Sequence, residues 1–391
     1  MLMIQLARLG DLVQTIPAIT ALKETHTDWT VDLLCPAHLE DLGRMLPGFS
    51  LVLKWDGAAW NRRALQAAKE LRPEYVAETD AELRAITKEP YDYAFVLNQH
   101  PRAILAGALL ARDTIGTIVG GPLEGKLSPW ASYVRAVAGE RRWNRIHLAD
   151  AFCGMCGISP PRQVAPLNVP LVPLPGDLDS IAKTEGPWIA LLVGAGDQER
   201  LVPLSVWITL ITRFLQVSPR GRVVLVGHIQ EQERAQWIQD ALPSSCLGRV
   251  WDTTGRLSTT QLAVALMRSQ VVVGADTGPL HLAAAVGTRV IGWYFARARV
   301  HETGPYGPHH WVWQAEQVGD EKGQGIVPNQ WPIDETIALL SGRVPGSMKD
   351  WSLWSSHRDR WGAYYLQVGH EFMAPPQREQ VWQKLQLSPV I

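Results

Sequence analysis

Short apolar runs rich in β-branched residues alternate with longer helical patterns twice along this chain, and a proline-dense stretch separates the two series. In the first series, residues 2–6, 29–35, 51–54 and 93–97 read as strands, with helices after Gly10-Asp11 and over 102–111. A long amphipathic segment, 61–87, lies between strands. The second series places strands at 188–193, 222–226, 271–274 and 289–293, and helices at 205–216, 230–242, 259–268 and from Pro279 onward. Between them, residues 159–179 hold six prolines, which lack an N–H donor and resist helix interiors and central strands. This alternation predicts α/β halves with parallel sheets and a cleft between them, where such sheets bind ligands beyond the carboxyl ends of their strands. The expected division is a first domain over 1–165, a Pro-rich linker over 166–182, a second domain over 183–345 and an extension over 346–391.

Composition narrows the function. Lys and Arg total 37 against 38 Asp and Glu, so no net field draws the chain to nucleic acid or an anionic surface. Four cysteines (Cys35, Cys153, Cys156 and Cys246) among 391 residues do not suggest a disulfide scaffold. The longest strongly apolar run, 103–111, falls far below the ~18 residues of a membrane span. The opening residues are too short an apolar stretch for a signal peptide and have no basic region before them. A soluble cytoplasmic protein is expected, with room for peripheral contact at the inner membrane face. Tryptophan is abundant, 17 residues, and Trp351, Trp354, Trp361 and Tyr365 fall at helical spacings near the end. That stripe predicts a C-terminal helix packed back on the first domain.

The sharpest chemical signal is Gly274-Ala-Asp276-Thr277-Gly278-Pro279-Leu-His281. A strand ends in small and polar residues and a helix begins at proline, a favoured first helical residue. Free N–H groups there, with the positive end of the helix dipole, suit phosphate; a plain helix cap fits the same residues. Asp276 suits orienting N–H groups or a sugar hydroxyl, and His281 could donate to a phosphate oxygen. At the end of the first strand stands Arg8-Leu9-Gly10-Asp11, where a carboxylate facing the cleft could be a general base or again a cap. A helix N-terminus favours the charged carboxylate, so Asp11 is expected to be ionised and a weak base. Arg200 heads a later helix, where it could face a pyrophosphate or simply be solvated.

Other signals are excluded or set aside. Gly194-Ala-Gly196 lacks the third glycine of a dinucleotide fingerprint, and residues 120–127 place Leu127 where a P-loop needs a hydroxyl. Cys153 and Cys156 have metal-ligand spacing but no second pair, and read as buried thiols. His309-His310 lies in an aromatic loop with no clear ligand set. No metal site is expected. The loop 297–307 could line the cleft, without assignable roles.

Together, Leu9-Gly10-Asp11-Leu-Val-Gln-Thr-Ile-Pro17-Ala18, Asp276-Thr277-Gly278-Pro-Leu-His281 and Thr303-Gly-Pro-Tyr-Gly307 resemble glycosyltransferase family 9, the heptosyltransferase family, in order and spacing from residue 1 to about 340. The resemblance implies a GT-B architecture: two Rossmann-like domains facing across a cleft, the first binding acceptor and the second a nucleotide sugar. It implies inverting, metal-independent transfer with no cofactor, a co-substrate such as ADP-heptose, and a lipopolysaccharide-like glycan or glycolipid acceptor. Asp11 then matches the base. Asp276, Thr277, Gly278 and His281 match the donor-binding helix start, with Gly194 beside them, and Glu231 matches a residue for the nucleoside. Arg200 stands where the family usually has Lys, as a second catalytic group. Arg8, Gly10, Asn98 and His100 fall on the acceptor side, where Val96-Leu97-Asn98-Gln99-His100 departs from the family's usual sequence. The other readings are a sugar-nucleotide epimerase or hydrolase of the same fold, and a non-catalytic nucleotide-sugar-binding scaffold.

Overall fold

The computed structural model describes residues 1–391 apart from 73, 121–123, 140, 177, 180–185, 317–327, 371–376 and 386–391. Part of the P-loop-like tract and the ends of the expected linker and extension therefore lie outside the described residues.

The first sheet consists of β1 (Leu2–Ile4), β2 (Asp32–Pro36), β3 (Val52–Trp55), β4 (Tyr91–Val96), β5 (Ala111–Gly120) and β6 (Glu124–Leu127), in the order β3-β2-β1-β4-β5-β6. The first five are parallel, and β6 turns back antiparallel on β5. Leu2, Met3 and Ile4 are wholly buried, as a strand covered on both faces requires. Parallel neighbours need crossovers, supplied by segments such as the helix Ile16–Thr25 and the helix pair Gly57–Lys69 and Tyr75–Arg84. That pair is the long amphipathic stretch of the sequence, broken in two.

The second sheet contains β7 (Trp188–Leu192), β8 (Arg222–Val226), β9 (Val250–Asp252), β10 (Val271–Ala275), β11 (Arg289–Tyr294), β12 (Trp311–Ala315), β13 (Trp351–Asp359) and β14 (Gly362–Gln367). Its order is β14-β13-β12-β11-β10-β7-β8-β9, so strands β7 to β12 follow the doubly wound 3-2-1-4-5-6 order. The strand order reverses between the parallel neighbours β7 and β10, a switch point at which such sheets bind ligands over the carboxyl ends of the strands. The most apolar long segment, Gln198–Val217, is explained by packing: Trp207, Leu210, Ile211 and Phe214 fill the core beneath this sheet.

The aromatic extension corrects the expectation of a helical stripe. Trp351 and Trp354 lie on β13 and Tyr365 on β14, an antiparallel hairpin added to the edge of the second sheet. Trp351 and Leu353 alternate into the core, which a strand period of two explains and the spacing of aromatics alone concealed. Gly362 sits at the turn with φ +96°, and a Cβ there would overlap the Asp150 carboxylate of the first domain. Beyond the hairpin, the helix Gln377–Leu385 lays Trp382 on Trp130, ring centroids 4.2 Å apart.

The domains meet through a continuous apolar seam. Leu12, Val13 and Ile16 of the first domain share one buried cluster with Leu280, Leu282 and Ala283 of the second. Residues 159–175 form no strand. They run as an extended strap in which Ala165 N–H donates to Thr20 Oγ1, Asn168 N–H donates to the Met45 carbonyl, and Gln261 donates to the Pro173 carbonyl.

Candidate active site

Two helix starts face each other at the seam. The helix Leu9–Val13 follows β1, and the helix Gly278–Ala285 follows β10 at the crevice. They approach so closely that a Cβ on Gly278 would lie 3.0 Å from Leu9 Cδ2, and a Cβ on Gly10 would lie 2.8 Å from His281 Cδ2. The predicted base and the predicted phosphate site therefore lie on adjoining helix starts, although they are more than 260 residues apart in sequence.

Asp11 is the third residue of its helix, and its Oδ2 accepts from the Arg8 N–H at 3.2 Å. The sequence predicted a depressed pKa. Burial instead raises it, outweighing the Arg8 N–H and the charge of His281. The helix is only five residues long, and its start is packed against the second domain at Gly10, so desolvation exceeds any dipole effect.

Opposite, Asp276 is the hub. Its Oδ1 lies 3.2 Å from His281 Nε2, and its Oδ2 accepts from the Thr303 hydroxyl at 3.1 Å. Arg200 Nη1 donates to the Asp276 carbonyl at 2.7 Å and stands 3.7 Å from Oδ2. Burial disfavours the Asp276 charge, but the His281 hydrogen bond, with Arg200 and Thr303, holds the carboxyl below its usual range. Thr277 Oγ1 and His281 Nδ1 are buried with no hydrogen-bond partner among the described residues. Thr277 occupies the N-cap position without making the cap bond. A threonine that serves only as a cap would spend its hydroxyl on the helix N–H groups. An unmatched hydroxyl donor beside a helix start fits an incoming phosphate oxygen.

Arg200 Nη2 also donates to Asp197 at 2.5 Å, and Asp197 lies 3.6 Å from Arg8 Nη1 of the first domain. Glu231, after β8, caps the next helical turn through the His228 N–H, and its carboxyl fills the space a Cβ on Gly194 would need. Glu231 and Gly194 are thus neighbours at adjoining strand ends. Asn98 is different. Its Oδ1 accepts from Leu6 N–H at 2.5 Å and its amide donates to Gln5, so both ends tie together the segments that follow β1 and β4. His100 Nδ1 caps the helix Pro101–Leu110, while its Nε2 is buried without a partner.

Residues 175–325 match glycosyltransferase family 9 (heptosyltransferase). No curated protein matches the chain in sequence. Among solved structures, a family 9 glycosyltransferase from Veillonella parvula DSM 2008 superposes with a TM-score of 0.64 at 16% identity, covering 83% of this chain and 89% of that one. E. coli heptosyltransferase WaaC with ADP gives 0.62 at 18% identity, covering 87% and 98%. E. coli ADP-heptose lps heptosyltransferase II gives 0.60 at 15% identity, covering 87% and 97%. The fold is therefore that of the GT-B glycosyltransferases, with the family 9 match confined to its second half.

Sequence reasoning left the loop after β11 without roles. Thr303, from that loop, holds Asp276, and Tyr294 donates to the Thr303 carbonyl at 2.6 Å. A hydroxyl next to Gly-Pro was the available signal. Among the described residues, no three His, Cys, Asp or Glu side chains gather as a metal site. Cys153 and Cys156 are buried, and His310 accepts from Val290 N–H, a structural task.

Proposed function

We propose that this protein is an inverting, metal-independent transferase that moves a heptose-like sugar from an ADP-linked donor to a lipopolysaccharide-like glycan acceptor at the cytoplasmic membrane face. The observation carrying this reading is the packing of the Asp11 helix start against the Asp276–His281 helix start, with the buried Thr277 hydroxyl left unmatched beside it. In the proposed reaction, the diphosphate sits at residues 276–281, held by helix N–H groups, Thr277 and His281. Arg200 supplies positive charge beside it, and Glu231 lies toward the nucleoside. The acceptor hydroxyl attacks the anomeric carbon from the side opposite the diphosphate. The new carbon–oxygen bond forms as the bond to the phosphate oxygen breaks, and Asp11 takes the hydroxyl proton. A carboxylate whose proton affinity is raised by burial is a stronger base than an exposed one.

A thermal-shift screen of ADP-, UDP- and GDP-linked sugars tests the donor assignment. Ligand at 100 times its dissociation constant stabilises by about 2.7 kcal/mol. Stabilisation by ADP-heptose but not by UDP- or GDP-sugars is expected, followed by release of ADP only when acceptor is present. Donor consumption without acceptor would replace transfer with hydrolysis or epimerisation.

A further inference from the structure

Glu302 is 8% exposed, yet its Oε2 has no hydrogen-bond donor. The nearest cation, Arg141 of the first domain, lies 3.5 Å away through Nε and is itself partly exposed. Leaving a buried carboxylate oxygen without a donor is costly, and none of the described residues supplies one. Burial pushes the Glu302 carboxyl up to about 7, with Arg141 opposing and the negative charge of Asp276 adding to the rise.

Its position along the sheet gives the oxygen a purpose. The order β8-β7-β10-β11 sets Glu231 after β8, Gly194 after β7, Asp276 after β10 and Glu302 after β11. A nucleotide sugar stretched over these strand ends with its nucleoside at Glu231 and its diphosphate at Asp276 brings its sugar to the β11 side. A carboxylate there repels phosphate and accepts from neutral hydroxyls. Thr303, the next residue, is already fixed to Asp276, so Glu302 is held at a set distance from the diphosphate site.

Resting on the function proposed above, we infer that Glu302 accepts a hydrogen bond from a hydroxyl of the donor's sugar and helps to select which sugar is transferred. Arg141 orients the carboxylate from across the cleft.

Calorimetry on the full chain with ADP-heptose and with ADP tests this, comparing wild type, Glu302→Gln and Arg141→Gln. Glu302→Gln should weaken ADP-heptose by about tenfold or more, as expected for losing one hydrogen bond to a charged group, and leave ADP within about twofold. Arg141→Gln should preserve most of the preference for ADP-heptose over ADP. Equal losses for both ligands in both variants, with matching losses of thermal stability, would make Glu302 only a tie between domains and overturn the inference. An effect confined to the acceptor KM would also overturn it. If wild type binds neither ligand nor any UDP- or GDP-sugar, the proposed function fails as well.

Discussion

The Cβ that Gly278 lacks would stand 3.3 Å from the amide nitrogen of Gly10, so the two domains touch backbone to backbone at the point where chemistry is proposed. The contact sets how near the acceptor half can bring Asp11 to the donor half. It also makes each glycine a steric requirement in an otherwise ordinary helix start.

Gly10→Ala should destabilise the protein by about 1–3 kcal/mol through overpacking against His281. Helix propensity alone would favour alanine by at most about 1 kcal/mol. Chemical denaturation checks the sign, and a net gain in stability would show that the seam has slack.

Asp11→Asn is expected to lower turnover by about 10²–10⁴-fold while donor affinity, measured separately, stays within a few-fold. Because burial raises the Asp11 pKa, the acid limb of the wild-type rate should lie above that of an ordinary carboxylate. An acid limb at or below the model-peptide range for Asp would count against Asp11 as the base.

Thr303→Val removes the hydroxyl that holds Asp276 Oδ2. A net loss of about 1 kcal/mol corresponds to a several-fold rise in donor KM, with Thr303→Ser restoring most of it. Identical kinetics for Val and Thr would show that His281 and Arg200 position Asp276 alone.

Asp150 should make stability fall between pH 4 and pH 7. It is wholly buried, its Oδ1 accepts from Tyr306 at 2.6 Å and its Oδ2 from Ala363 N–H at 2.8 Å. Burial dominates these contacts and pushes its carboxyl up to about 7 from an ordinary 3.8. The folded state therefore holds the proton more tightly than the unfolded chain. The resulting stabilisation is complete below about pH 4 and is lost as pH rises through 7. The deficit of Asp150→Asn relative to wild type should accordingly be larger at pH 5 than at pH 8, measured by urea unfolding at both.

Much of the fold was legible because parallel strands buried on both faces, such as residues 271–275, declare themselves as unbroken apolar runs. The helix start at Thr277-Gly-Pro was legible for the same local reason. The hairpin at 351–367 was not, since its aromatics happen to match a helical spacing while its small and polar residues carry the strand period. The elevated Asp11 pKa was hidden too. Burial there accompanies the packing of the neighbouring Gly10 against Gly278 and His281, and no local pattern around residue 11 encodes which distant helix will pack on it.

Asp150 and its partner Ala363 are 213 residues apart, and Trp130 waits still longer for Trp382. During synthesis the first half leaves the ribosome with a carboxyl and an indole destined for burial but still wet. Its native seal arrives with the hairpin and the helix Gln377–Leu385, so synthesis of those distant segments, rather than completion of the first sheet, marks the moment at which the two halves can lock.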